Sequence, residues 1–413
     1  MRASLRRATR FPSLATWGEG GATNTRSHAG ELERSLPEML ALLRRIVGIE
    51  SPSTFPVGVN AVAAELTNVL GEAGFELVRN PVPGCGDQVS AIRHFGHGPD
   101  VLILGHTDTV WPLGTLDGWP YQCSGAELRG PGAGDMKSSL VMAAYALRLL
   151  SRQQGCAQLG QVQLLLVPDE EQGSTFSREW IQQAAQTADV CLGLESGRPG
   201  GGVIVTRGAV GALVVSARGV SAHVTCPDGG RSALRALAPL VGQLEQLSKH
   251  DEGIIVTVGM LHGGTARQVI PAYAEMQVDL RAPNDSAAEA LLEQVQERIE
   301  AARRSCPADI AVSGGITRPS FAHQAEARTL YEFVAAESGT VGLGCYKVQE
   351  RGGGDTSLAA ALGIPALDGL GPLVHHPCSH REWVETPSII SRGAVFVSLL
   401  EHIAARAPAR KHE

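Results

Sequence analysis

Five short stretches of the chain each set a carboxylate, an imidazole or a thiol just after an apolar run or a glycine turn. They are His106 and Asp108 in HTDTV, Asp135 in GAGDMK, Glu170 and Glu171 in PDEEQGS, Glu195 in LGLES, and His375, His376, Cys378 and His380 in HHPCSH. Any one of them alone reads as a helix cap or a solvated charge. Gathered at the mouth of a buried sheet, unpaired carboxylates would each cost several kcal/mol unless positive charge compensates them. Bound divalent metal is the obvious source. His106 and Asp108 stand two apart, on the same side of an extended segment. One can ligate a metal while the other takes the remaining ring N–H and sets the tautomer. A histidine that only caps the strand is the plainer alternative.

Asp135 follows GPGAG, a turn that lets backbone approach a ligand closely. A carboxylate there could bridge two cations, and its rival role is the N-cap of a helix from Ser138. The DEE triplet at 169–171 is more specific. Adjacent acids at a buried strand end repel unless one binds metal and another works at raised pKa, which is where a general base would sit. Glu195 ends a further apolar strand, where a helix N-terminal charge is the competing reading. Oxygen and nitrogen ligands suit Zn²⁺, with Co²⁺ or Mn²⁺ also compatible.

The elements that must position these residues alternate along the chain. Helical spacing predicts helices over 36–47 and 59–74. The short apolar runs VLILG (101–105), VQLLLV (162–167) and VCLGL (190–194) read as strands buried on both faces, with a crossover helix over 138–150. From 209 to 316 the texture changes to strand, helix, strand, strand, helix, strand, the ferredoxin-like βαββαβ order. A helix near 324–338, the turn GGGD, the strand IPALD and a terminal helix over 387–406 complete the host unit. The fold class is therefore α/β, with 209–316 inserted between 35–208 and 317–408, and with 1–34 as a disordered N-terminal extension.

Composition narrows the class further. A net charge of -7 with interleaved signs leaves no basic stripe for nucleic acid. The 8 cysteines form no CxxC pairs, so neither a zinc ribbon nor a disulfide framework is indicated. No unbroken apolar run reaches the roughly 18–20 residues of a membrane span. Arg2, Arg6, Arg7 and Arg10 precede the first acid, Glu19, without an apolar core, so the N-terminus is not a secretory signal. A cytoplasmic protein is expected, and the arginine-rich extension leaves organellar targeting open.

The motifs HTDTVWPLGTL, GPGAGDMKSSL, PDEEQGS, VSAHV, GGTARQVIPA, GITRPSF and LDGLGP occur in that order across 36–407. The chain thereby resembles the M20 family of metallopeptidases, in particular the glutamate carboxypeptidase branch and its acetylornithine deacetylase and succinyl-diaminopimelate desuccinylase relatives. The resemblance implies a zinc-peptidase-like mixed-sheet catalytic domain and an inserted dimerisation and lid domain. It also implies two zinc ions per subunit. His106 would be a ligand and Asp108 its orienting acid, Asp135 the bridging carboxylate before a cis peptide to Met136, and Glu170 the general base. Glu171 and Glu195 would each ligate one zinc. His223 would polarise the substrate carbonyl in the partner subunit's site of a homodimer, and Arg318 would meet a substrate carboxylate.

The pattern breaks where the family has a fifth ligand, a histidine. Gapless spacing puts Cys378 there, four residues before Glu382, and a shifted loop would instead offer His376, with His375 and His380 further options. Gln268 stands where asparagine is common and would alter hydrogen bonding to substrate, and the GGGSD-like turn is shortened to GGGD, ending in Asp355. The expected function is hydrolysis of a small peptide or N-acyl amino acid: release of a C-terminal amino acid, glutamate being one option, or removal of an N-acyl group. An N-acyl amino acid deacetylase or dipeptidase on the same site, and a non-catalytic homologue that binds amino-acid derivatives, are the alternatives.

Overall fold

The computed structural model describes residues 24–153, 158–322 and 325–405. The chain divides into two compact units, one of Met1–Val205, His323–Gln349 and Gly354–Glu413, the other of Thr206–Ala322 with Glu350–Gly353. The inserted unit is thus slightly larger than the sequence suggests. Arg207 explains part of the difference, since its guanidinium donates to the carbonyls of Gly352 and Gly353 while Gly208 N–H bonds the Glu350 carbonyl. These contacts draw the GGG turn onto the insertion.

The first unit is built on a mixed six-stranded sheet in the order Glu76–Asn80, Gln88–His94, Gln161–Val167, Val101–His106, Val190–Gly193, Ala366–Leu367. The last four strands run parallel and the first two are an antiparallel edge. Every residue of Val101–His106 is buried, as a strand covered on both faces requires. The register pairs His106 with Val167 and Leu104 with Gly193. His106, the segment after Val167 and the segment after Gly193 therefore leave the sheet at one edge, the carboxyl ends of parallel strands. The helix Ser138–Leu150 begins at the residue expected and buries nearly its whole length, including Leu140, Leu147 and Leu150.

One expectation needs correction. The first helix runs Thr25–Val47, so residues 25–34 are not an extension. Their polar run ELERS and the internal Pro37 hide the helix in the sequence. Tertiary partners hold it: Thr25 Oγ1 donates to Glu337 and lies 2.6 Å from Ser398 Oγ, and His28 Nε2 is 2.9 Å from Glu401. Residues 1–23 lie outside the described residues. The helix Thr386–Ala405 is long and apolar enough to cross a membrane by length and composition, although Arg392 and Glu401 interrupt its apolar run. Most of it is buried in the core of the first unit, with Val397, Leu399 and Leu400 fully enclosed.

The second unit is a four-stranded antiparallel sheet ordered Ile255–Gly263, Tyr273–Ala282, Ala209–Arg218, Asp309–Arg318. Two helices, Ala233–Glu245 and Asp285–Ser305, lay Leu237, Leu240, Leu291 and Val295 on sheet residues that include Val215, Met276 and Val278. Tyr273–Ala282 alternates buried with less buried positions, as a strand with one covered face should. A separate two-residue ladder pairs His223 with Val269.

Candidate metal centre

His106 sits at the last position of its strand, 2 % exposed. Its Nδ1 lies 3.2 Å from Asp108 Oδ1 and 3.0 Å from the Asp108 carbonyl, so Nδ1 carries the proton donated to Asp108. Nε2 lies 3.2 Å from Asp135 Oδ1 and 3.8 Å from Glu195 Oε1, so once it gives up the proton it shares with Asp135 its lone pair is free to meet a metal there. Asp108 is held in turn: Oδ2 accepts from Ser53 Oγ at 2.6 Å and from Glu171 N–H at 3.1 Å, and Oδ1 from Glu170 N–H at 3.2 Å. One buried carboxylate thus orients the imidazole and anchors the Glu170–Glu171 turn.

Asp135 is central. Its Oδ1 faces His106, and its Oδ2 lies 3.1 Å from Cys378 Sγ. The peptide after it is cis, as the resemblance implies. Donor atoms of His106, Asp135 and Glu195 lie within 4.8 Å of one another, and so do those of Asp135, Glu171 and Cys378. Two three-donor groups therefore share one carboxylate. Glu171 Oε1 is buried with no hydrogen-bond partner, a costly state for a carboxylate oxygen that a cation would relieve. The donor set fits a pair of divalent metals.

Electrostatics point the same way. Burial opposes a charged His106 ring, yet its bonds to Asp108 and Asp135 raise its pKa well above the usual imidazole value. Burial would raise Asp135, but the bond to His106 prevails and holds it low. Burial, reinforced by Asp135, pushes Glu171 up to about 10 and the Cys378 thiol up as well. Glu171 and the Cys378 thiol therefore keep their protons unless cations replace them.

Of the four candidates in HHPCSH, the structure brings Cys378 to the carboxylates, and not His376. His376 is exposed with φ 51°, and its carbonyl accepts from Ser379 Oγ. His375 stacks on Trp383 with ring centroids 3.9 Å apart and bonds Glu385 at 2.8 Å. His380 packs against Trp111 and Trp119 at 4.8 and 5.3 Å. The shifted register is not adopted because these partners, and the left-handed φ of 57° at Cys378, orient the loop otherwise.

Sequence reasoning left three residues without roles. Glu382 is fully buried, and its Oε1 accepts from Gly134 N–H at 2.8 Å while its Oε2 accepts from Cys378 N–H at 2.9 Å. It clamps the two loops that deliver Asp135 and Cys378. A side chain at Gly134 would collide with Val374 and crowd Glu382, so the turn needs glycine. Burial and the nearby Asp135 raise Glu382 to about 7. Lys137 Nζ donates to the Ile49 carbonyl at 2.7 Å, and burial lowers it to about 7 against the pull of Glu382 and Glu50. Asp169, the first acid of the triplet, turns away to accept from Phe176 N–H at 2.7 Å and from Ser177, so it shapes the loop. Glu382 stands four residues after Cys378, the only signal that could have singled it out.

In the second unit, His223 is exposed with Nδ1 2.8 Å from Thr225 Oγ1. The Gln268 carbonyl accepts from Val224 N–H at 3.1 Å, so His223 and Gln268 share one edge of that unit. Arg318 ends its strand and is buried.

Residues 102–402 match the model of peptidase family M20/M25/M40. The chain belongs to the M20 peptidase family. It is a hydrolase of the peptidase and amidohydrolase type, and the family implies a divalent metal for which the two donor groups are candidates. This M20 chain is 26 % identical over 417 residues to carboxypeptidase G2 of Pseudomonas sp. (strain RS-16), covering 98 % of this chain and 100 % of the relative. It is 30 % identical over 289 residues to a succinyl-diaminopimelate desuccinylase of Methylobacterium nodulans, covering 64 % of this chain and 72 % of the relative. Its fold is similar to that of an M20 family metallo-carboxypeptidase from Sulfolobus solfataricus, with TM-score 0.71, 16 % identity and coverage of 89 % of this chain and 99 % of that one.

Proposed function

We propose that the chain is a two-zinc metallopeptidase that releases a C-terminal amino acid, or an amino acid from its N-acyl derivative, and acts as a homodimer. The observation that carries this reading is Asp135, whose two oxygens face two separate donor groups, with Glu171 from the DEE turn in one of them. His106 and Glu195 would hold one ion, Glu171 and Cys378 the other, and Asp135 would bridge them. Such a pair supplies Lewis-acid polarisation of the scissile carbonyl and a water acidic enough to attack it near neutral pH.

The protein's own groups do the rest. Glu170 takes the proton of the attacking water and returns it to the leaving amine. Asp108 keeps His106 in its ligating tautomer and anchors the backbone of the Glu170–Glu171 turn. Arg318 offers a guanidinium fork to a substrate carboxylate. His223 of a second copy hydrogen-bonds the developing oxyanion. The supports for these last two roles are the VSAHV and ITRPSF motifs and the likeness to carboxypeptidase G2.

The test is metal analysis of the purified chain beside hydrolysis of folyl-glutamate, N-acetyl amino acids and dipeptides. About two zinc ions per chain and zinc-dependent release of a free amino acid are expected. A metal-loaded chain that binds these compounds without cleaving any would replace the enzyme reading with that of a binding homologue.

A further inference from the structure

The donor groups around Asp135 differ in kind. One offers a neutral imidazole nitrogen and two carboxylates, from His106, Asp135 and Glu195, and the other two carboxylates and a sulfur, from Asp135, Glu171 and Cys378. We infer that the two metal positions are chemically unequal, the Cys378 position binding a thiophilic ion through a thiolate and the His106 position providing the stronger Lewis acid. The inference rests on the two-metal reading and adds to it which ion each position selects.

Three observations carry it. The sulfur is placed by a built loop, with Cys378 N–H fixed by the buried Glu382 at 2.9 Å and Sγ set 3.1 Å from Asp135 Oδ2. The same Glu382 carboxylate holds Gly134, next to Asp135, at 2.8 Å, so sulfur and bridging carboxylate are located by one group. Of the neighbouring imidazoles, His375 is engaged with Trp383 and Glu385 and His380 with Trp111 and Trp119, while the exposed His376 is not among the residues gathered around Asp135 and Glu171, where Cys378 is this loop's donor. Soft thiolate favours Zn²⁺ or Cd²⁺ over Mn²⁺ or Mg²⁺, whereas carboxylate and imidazole accept a wider range. Charge separates the positions as well. Three anionic donors offset a dication more fully than two anions and a neutral ring, so the ion beside His106 keeps more charge for polarising a carbonyl.

Cobalt reports thiolate ligation without any assay of activity. The full chain, stripped with a chelator, is titrated with Co²⁺ and followed by absorption. A thiolate-to-cobalt charge-transfer band in the near ultraviolet is expected, together with the visible bands of cobalt at both positions. Cys378→Ser should abolish the first and keep the visible bands of the His106 position, while His376→Ala should retain both. Zn²⁺ or Cd²⁺ should bleach the charge-transfer band ahead of the remaining visible bands, and excess Mn²⁺ should not.

Alkylation gives a check independent of the variant's folding. Cys378 is exposed but its thiol is held protonated, so iodoacetamide at alkaline pH should label it slowly in the stripped wild-type protein and more slowly still in the zinc-loaded one, as read by peptide mass spectrometry. Cobalt bound without a charge-transfer band, a band that survives Cys378→Ser, or equal bleaching by Mn²⁺ would overturn the inference and leave the two-metal reading standing. Failure to bind cobalt or zinc at all would overturn both.

Discussion

At the scale of single residues, the site depends on one acid that accepts a proton and others that must lose theirs. Glu170 follows Asp169, which is spent on the loop, and precedes Glu171, whose buried oxygen lacks a partner. Glu170→Gln should therefore keep bound metal and lower kcat by at least about 10²-fold. Metal content equal to wild type with an undiminished rate would remove Glu170 from the proton path.

Glu171 makes the metal-free protein sensitive to pH. Its carboxyl is raised from 4.5 to about 10 in the folded state, so the folded chain holds a proton that the unfolded chain has released. Stability from this group is full below the unfolded pKa and declines as pH rises toward the folded one. Glu382, raised to about 7, and His106, also raised, act in the same direction, while Lys137, lowered to about 7, opposes them only above that value. Stripped protein should thus lose melting temperature between about pH 5 and about pH 7, and saturating zinc should flatten the slope. Calorimetric scans across that range decide it.

At the scale of elements, two loops and one helix end are held by single side chains. Glu382 accepts from both Gly134 and Cys378, one oxygen to each. Glu382→Gln supplies one acceptor and one donor where two acceptors are needed, so one amide is left facing an N–H. The expected result is a drop of about 10–100-fold in metal affinity, concentrated at the Cys378 position, with a secondary-structure content like wild type. Competition with a chelator measures the first and circular dichroism the second. Thr25→Val, at the start of the first helix, removes the hydroxyl that bonds the buried Glu337 and Ser398. A loss of about 1–3 kcal/mol in denaturant unfolding is expected, with activity of the folded enzyme unchanged.

At the scale of the whole molecule, the proposed dimer makes each site depend on two chains. His223 lies on the inserted unit and Glu170 on the other. Mixing inactive His223→Ala protein with inactive Glu170→Gln protein should restore part of the activity, because some heterodimers carry one composite site with both residues intact. Subunit exchange shown by labelled chains, with no recovered hydrolysis, would refute action across the dimer.

The amino-acid sequence alone determined the alternation of elements, the inserted βαββαβ unit and the positions of His106, Asp135, Glu171 and Glu195, because each follows a local signal: a fully apolar run, a glycine turn or a strand end. Such signals depend on neighbours within a few residues. Tertiary structure decided what spacing could not. It selected Cys378 over three nearby histidines through a clamp on Glu382, whose two partners lie 248 and 4 residues away. It made residues 25–34 helical through Glu337, Ser398 and Glu401, and it turned the apolar terminal helix into core. In each case the deciding energy is the satisfaction of a buried polar group, or the burial of an apolar face, by residues far along the chain.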